Sequence, residues 1–598
     1  MRTKKKSITK KEKNGKAGKY LAGDVMKNAI KSVRIFRGKV LAYANKHPRR
    51  VTAVLLAVLA VLAVVLRLRG IGTNLPNYDE IYHLTTAKAF CAGNGGKLFI
   101  NAQMHGPYHR AMFITKLVQI FWLLGGTQSL FLARLPSVII GGLTVILIYL
   151  LGSRIDKKTG FLAALMWALA PWSIITSRLV REYSFFNFIW TGVIFTLYWL
   201  LTRIAVSIEN KEKINPWLIA GAVGLVVLPI LYDSLTHMGT FKLIIPMYFV
   251  VFLAFGFQIK PFIKKVRMRT IVIVGAIAIL IAFIINKSFL SNKSWAIDFV
   301  NIFPSYSGIT QAFWRFITGT QHANFFRLGI LLLVAGMTAL GYYYKTRKLN
   351  SAILIGGVFA VLSYFFAFHF NRFIRARYLY VLLPWMIIIE SFGLIQVVRL
   401  FGSLFKITPK LQKSMIAVLF LILFNWPALH NSLRVPFDPE YFRPETSEFA
   451  WMSTFEYAQE AKGIYERFGD EIEGEVVFTT MTYPFFWYVD DYDGDTLVYN
   501  IDPLFDSAPE KMPIPISNYF PVRLDEDVLE VESLGPNSMA ENSVVVNQVI
   551  AENDSGWFLV GLKPNSWWDM DFAPRDFTAG DKVVEYVGTF EGHLVFKW

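Results

Sequence analysis

VTAVLLAVLAVLAVVL (residues 51–66) and, eight residues further on, NLPNYDEIYHLTTAKAF (residues 74–90) decide the class of this chain. The first is an unbroken apolar run. At 1.5 Å per residue, about 20 such residues cross the roughly 30 Å hydrocarbon core of a bilayer as a helix. The second puts two adjacent acids, Asp79 and Glu80, just beyond that crossing, with His83 one helical turn on from Asp79. Carboxylates at a membrane surface are costly ornaments, so their presence there asks for a polar partner.

The rest of the chain repeats the first signal. Further apolar runs open at residues 135, 160, 184, 217, 241, 270, 326, 351, 378 and 414, which with the first makes about eleven spans. Of 598 residues 54% are hydrophobic and only 18% charged, the composition of a multi-pass membrane protein. Cys91 is the single cysteine, which excludes an internal disulfide framework and any cysteine-based zinc or iron–sulfur site. The net charge of +19 is unevenly spread: residues 1–432 carry 52 Lys+Arg and 11 Asp+Glu (+41), and residues 433–598 carry 10 and 32 (−22). A basic membrane part followed by an acidic soluble part marks a boundary, and no nucleic-acid partner is expected. The expected organisation is a basic cytoplasmic tail with a juxtamembrane amphipathic segment (1–50), a transmembrane domain (51–432, first outer loop 70–134) and an acidic extracytoplasmic α/β domain (433–598).

Loop charge sets the orientation. With the N-terminus in the cytoplasm, the inner connections are RIDKK, RIAVSIENKEK, KPFIKKVRMR, KTRK and residues 399–413, each rich in Lys or Arg. Outer connections then hold Asp79, Glu80, Glu182, Asp233 and Asp298, while Glu390 lies within a span. Histidines His83, His105, His109, His237, His322, His369 and His430 also fall at or near the outer side. Titratable groups gathered on one face of a bundle point to a polar site there.

Within the long first outer loop, DEIYHLTTAKAFCA and HGPYHRAMFITKLVQIFWLLGG read as amphipathic helices lying along the membrane surface. Asp79 and His83 are i, i+4 on such a helix, a spacing that serves proton abstraction from a hydroxyl or, with His105 and His109, a metal or acceptor site. The plain alternative for Asp79 is capping of free helix N–H groups. SRLVREYS supplies Arg178 and Arg181, and NRFIRARY supplies Arg375 and Arg377. These are either interfacial anchors reaching for headgroups or a bidentate clamp for a lipid-borne phosphate.

NYDEIYHLTTAKAF, MHGPYH, FLARLPSVIIGGLTVILIYLLG, SRLVREYSFFNF and RARYLYVLLPWMII, in that order over roughly residues 50–430, resemble segments of the GT-C fold, polyprenyl-phosphate-sugar-dependent membrane glycosyltransferases. That superfamily includes the protein O-mannosyltransferases and the lipid A aminoarabinose transferase, and the likeness is to its prokaryotic branch. The resemblance implies a multi-pass enzyme of the cell membrane whose site faces away from the cytoplasm. It implies that Asp79, with Glu80 in support, removes the proton of an acceptor hydroxyl belonging to a protein, glycan or lipid. The hydroxyl then displaces a polyprenyl phosphate (dolichyl or undecaprenyl type) with inversion, while arginines, with or without a divalent cation, hold the leaving phosphate.

The tail reads as α/β. SEFAWMSTFEYAQEAKGIYERFGD is helical in period, YPFFWYV starts a short helix, and EVVFTT, DTLVYNI, SVVVNQVI, GWFLVGL and KVVEYVGTFEGHLVFKW read as strands. DDYDGD (490–495) lacks the spacing of a calcium loop, and SWWDMDF (566–572) lacks the Tyr-Gly that completes the WWDYG motif of oligosaccharyltransferases. A lipid-linked-sugar flippase or transporter is the rival from another class, a scaffold or receptor a third reading, and an oligosaccharyltransferase-type enzyme the neighbouring one.

Overall fold

The computed structural model describes residues 46–72, 76, 78–100, 103–108, 111–236, 334–339, 341–342, 383–425, 455–479, 482–489, 495–500, 522–525, 528–531, 548–561, 577–579, 582–590 and 593–598. The chain divides into two compact units, Met1–Val61 and Leu62–Trp598. Of the first, residues 46–61 are described and open helix α1 (Pro48–Leu68), with Pro48 at its first position, where a missing N–H costs nothing.

The second unit holds the end of α1 and, in order, α2 (Tyr78–Cys91), a hairpin of β1 (Leu98–Ile100) and β2 (Gln103–His105), α3 (Met112–Gly125), α4 (Leu130–Gly152), α5 (Lys157–Leu169), α6 (Pro171–Thr176), α7 (Tyr183–Glu209) and α8 (Pro216–Thr236). Beyond these come α9 (Leu383–Leu404) and α10 (Pro409–Asn425). Among the described residues four helices are long and apolar enough to cross a membrane: α1, α4, α7 and α9. The runs expected from 241, 270 and 351, and most of the one from 326, lie outside the described residues.

Packing of the bundle rests on small residues and caps. Asp156 starts α5 by accepting from Lys158 N (2.8 Å) and Thr159 N (2.9 Å), and Ser129 starts α4 by accepting from Leu132 N. Gly141 and Gly142 let α4 close onto its neighbours: a Cβ at Gly141 would stand 2.4 Å from Ser177 Cβ, and one at Gly142 2.4 Å from Val64 Cγ2. Gly152 and Gly160 do the same for the α4–α5 contact.

Two expectations change here. The span expected from residue 160 is broken. Pro171 has no N–H to continue α5 and forces Ala170 into an extended conformation (φ −63, ψ 124), so the segment becomes the 13-residue α5 and the 6-residue α6. The break carries Ser173, Ser177 and Arg178 back into the protein interior, where all three are buried. The helix starting near Asp79 also lacks the single apolar face expected of it. Ile81, Leu84, Ala87 and Ala89 of α2 are all fully buried, because apolar residues occupy both of its sides. Ile81 and Ala89 join one apolar core, and Leu84 and Ala87 another.

The first of those cores belongs largely to the C-terminal part. There α11 (Phe455–Ile472), β3 (Val476–Thr479), α12 (Thr482–Tyr488) and β4 (Leu497–Asn500) are followed by β5 (Val522–Asp525), β6 (Val528–Val531), β7 (Gly556–Gly561), β8 (Phe577–Ala579), β9 (Lys582–Phe590) and β10 (His593–Lys597). One mixed sheet results, ordered β4-β3-β7-β10-β9-β8-β6-β5, with β3 parallel to β4 and β7 and β10 antiparallel to β7 and β9. Ile464, Phe468 and Ile472 of α11 and Phe485 and Phe486 of α12 pack with Val477, Val498, Trp557 and Val595 of the sheet. The α/β reading of the tail therefore holds for these elements. Of SVVVNQVI, residues 543–547 lie outside the described residues, and the last three open a short helical turn, Gln548–Glu552, where a strand was expected, fastened by Gln548 Nε2 donating to Glu552 Oε1 (2.7 Å) and Asn553 Nδ2 donating to Val549 O (2.7 Å).

Candidate active site: an acid pair and an arginine cluster at the end of α1

The first turn of α2 carries the acids. Asp79 is the second residue of the helix and Glu80 the third; the Asp79 side chain lies outside the described part. Glu80 is fully buried. Its Oε1 accepts from Arg134 Nε (2.9 Å) and from the backbone N–H of Val180 (2.7 Å), and its Oε2 accepts from Arg134 Nη2 (2.8 Å). Arg134, on α4, also donates from Nη1 to Ile71 O (2.6 Å). A bidentate guanidinium–carboxylate pair with a further backbone donor compensates much of the desolvation of both charges. The pair ties together the acid helix, the end of α1 and the Arg178–Arg181 loop.

That loop brings its own cations inward. Arg178 donates from Nη2 to Arg69 O. Burial, with Arg134 and Arg69 alongside, pushes the Arg178 guanidinium down to about 10, so it stays charged at neutral pH at a raised energy. Arg181 is 1% exposed, 3.5 Å from Glu182 through Nε, with its guanidinium 5.7 Å from the Tyr183 ring centre.

Arg67 fastens the frame. Its Nε donates to Ser177 Oγ (2.9 Å), its Nη2 to Ser173 Oγ (2.5 Å), and its Nη1 to Ala63 O (2.8 Å). Trp167 Nε1 donates to Gly141 O (3.0 Å), joining α5 to α4 beside it. Among the described residues, the segments meeting here carry five arginines (67, 69, 134, 178 and 181) against three acids (79, 80 and 182). Of these, Arg67, Arg134, Arg178 and Arg181 are buried with Glu80 and Glu182, and such an excess of positive charge favours an anionic ligand.

Beyond the centre, His83 is fully buried on α2, its Nδ1 3.0 Å from Thr115 Oγ1 and its ring edge-on to Tyr108 at 5.1 Å. His105 sits in β2, while His109, Arg375 and Arg377 lie outside the described residues. No three of His, Cys, Asp and Glu are grouped as metal ligands among the described residues. Glu390 is buried on α9, a helix packed against α5. Arg134 and Arg67 are the contributors that the sequence reading passed over. The available signal was a charge inside or closing an apolar run, which is expensive unless it is used.

The C-terminal part touches the acid helix directly. Lys88 Nζ donates to Trp487 O (2.8 Å) and lies over the Trp487 indole, and that indole stacks with Trp122 of α3 at 6.3 Å.

A helical bundle carrying α2, with α/β elements packed against that helix, has the GT-C fold. The similar solved structures are distant in sequence. The archaeal oligosaccharyltransferase AglB from Archaeoglobus fulgidus, in complex with an inhibitory peptide and a dolichol-phosphate, aligns over 86% of this chain and 70% of its own, with TM-score 0.50 and 12% identity. ArnT from Cupriavidus metallidurans bound to undecaprenyl phosphate aligns over 92% and 98%, with TM-score 0.48 and 11% identity. A second Archaeoglobus fulgidus oligosaccharyltransferase structure, in the apo form, aligns over 75% of this chain at TM-score 0.47 and 13% identity, and the chain spans 64% of that protein's length. No protein-family model and no curated protein matches the sequence.

Proposed function

We propose that the protein is an integral-membrane glycosyltransferase that moves a sugar from a polyprenyl phosphate to an acceptor hydroxyl on the extracytoplasmic face. The observation that carries this reading is the Val180 N–H to Glu80 bond (2.7 Å), which holds the acid-bearing turn of α2 against the arginine-bearing loop. This bond supports a base and an anion clamp that work at one site. The GT-C fold and the match to motifs quoted above support the same class.

In this mechanism Asp79 accepts the proton of the acceptor hydroxyl. The freed oxygen pair forms the new bond to the anomeric carbon as the carbon–oxygen bond to phosphate breaks, and that bond's electrons leave on the polyprenyl phosphate. Opposite-side attack inverts the anomeric centre. Arg178 and Arg181, with Arg375 and Arg377, neutralise the charge that grows on the phosphate. Glu80 positions the turn while its oxygens remain bonded to Arg134 and Val180 N–H. The orientation expected from loop charge puts the N-terminus in the cytoplasm and the α/β part outside.

The test supplies radiolabelled polyprenyl-phosphate sugars and membrane acceptors to vesicles of both orientations. Label passes to acceptor only where the outer face meets substrate. Movement of the intact lipid-linked sugar across the bilayer, with no bond broken, would establish the flippase instead. Transfer only from oligosaccharide-bearing lipids would make the enzyme an oligosaccharyltransferase.

A further inference from the structure

Two polar side chains one turn into α7 have no use in the mechanism so far. Ser184 and Asn187 are both fully buried, and none of Ser184 Oγ, Asn187 Oδ1 and Asn187 Nδ2 has a hydrogen-bond partner among the described residues. Three apart on a helix, they share a face. Phe185 and Ile189 of the same helix pack into the apolar cluster formed with α2, α3 and α4. At about 100° per residue, Asn187 is turned roughly 160–200° away from those two. Asn187 thus stands on the opposite side of α7 and Ser184 to one flank of it, three and six residues along the chain from Arg181 for Ser184 and Asn187 respectively.

A buried amide or hydroxyl left unbonded loses its hydration with nothing in return, so three such atoms within one turn would weaken a bundle that had no other use for them. The chemistry of the atoms restricts what satisfies them. Asn187 Oδ1 only accepts, and an ionised phosphate also only accepts, so the phosphate does not serve it. A group that both donates and accepts does, which is the property of a sugar hydroxyl. Resting on the donor reading above, we propose that Ser184 and Asn187 bind hydroxyl groups of the donor sugar, next to an arginine clamp that holds its phosphate, and so help to decide which sugar is carried.

The test measures binding by native mass spectrometry of the full chain in nanodiscs, with undecaprenyl phosphate and its glucosyl, mannosyl and N-acetylglucosaminyl derivatives as probes. Wild-type protein is expected to bind one sugar-bearing lipid more tightly than the bare phosphate. Asn187→Leu should weaken that lipid at least tenfold and the bare phosphate less than twofold, and Ser184→Ala should act in the same direction by about threefold. Should Asn187→Leu fail to fold, Ser184→Ala and Asn187→Ser carry the test. An unchanged affinity, or an equal loss for sugar-bearing and bare lipid, would overturn the subsite, as would be seen if the pair merely holds a structural water. Wild-type protein that binds neither lipid would overturn the donor reading and the subsite with it.

Discussion

Arg134 grips both carboxylate oxygens of Glu80, with Nε 2.9 Å from Oε1 and Nη2 2.8 Å from Oε2, and both side chains are buried. The pair joins α4 to α2, and through Val180 N–H it also joins the loop before α7. Removing one partner leaves the other charge buried and uncompensated. Arg134→Ala or Glu80→Ala should therefore cost about 3–5 kcal/mol of stability. Glu80→Ala combined with Arg134→Ala should cost less than the sum of the two single changes, checked by denaturant unfolding in detergent as a double-mutant cycle.

Arg178 stands in tension between stability and use. Its folded-state value of about 10 lies below the ordinary arginine range, so the unfolded chain binds the proton more tightly. Between that value and the unfolded one, stability rises with pH, because the folded protein sheds a poorly solvated charge. Below about pH 10 the charge is held at a cost, so Arg178→Met should raise stability by roughly 1–3 kcal/mol. The same change should weaken bare polyprenyl phosphate binding by at least tenfold. A thermal melt and a binding titration on one preparation check both.

Trp487 should act as a fastening between the α/β part and the acid helix. Its backbone oxygen receives the Lys88 ammonium and its ring stacks on Trp122. Trp487→Ala should speed limited proteolysis near residue 480 and lower kcat more than the affinity for the lipid donor. Equal proteolysis and kcat would show that α2 is held without it.

Gly141 has no room for a side chain, since a Cβ would meet Ser177 at 2.4 Å beside the Arg67 guanidinium. Gly141→Val should displace the loop that carries Arg178. Expected outcomes are destabilisation of about 1–3 kcal/mol and loss of phosphate binding, whereas Gly224→Ala, with open space around it, should be neutral.

How much of this was legible in the sequence differs from residue to residue. The span in α1, the long helices α4, α7 and α9, and the helix after Asp79 follow from hydropathy and period, which act locally. The site's acids and two of its arginines stood out because charge beside a membrane is conspicuous. Pro171 was visible, yet its consequence was not: an apolar period continues across it, and only the backbone shows the chain turning inward there. The burial of α2 also depends on distant partners, Phe485 and Phe486 in the tail among them, which no local pattern announces. Arg134 was hidden for a related reason. Nothing within its own apolar run announces Glu80, 54 residues away, as its partner.

The central claim is a division of labour between adjacent acids, Asp79 as base and Glu80 as strut. The most direct measurement is sugar transfer from a radiolabelled polyprenyl-phosphate sugar by purified, folded variants in outward-accessible liposomes, alongside their binding of the bare lipid phosphate. Asp79→Asn is predicted to bind lipid as wild type does and to lose transfer by at least a thousandfold, while Glu80→Gln loses stability and keeps measurable transfer. Wild-type transfer rates in Asp79→Asn would contradict the account.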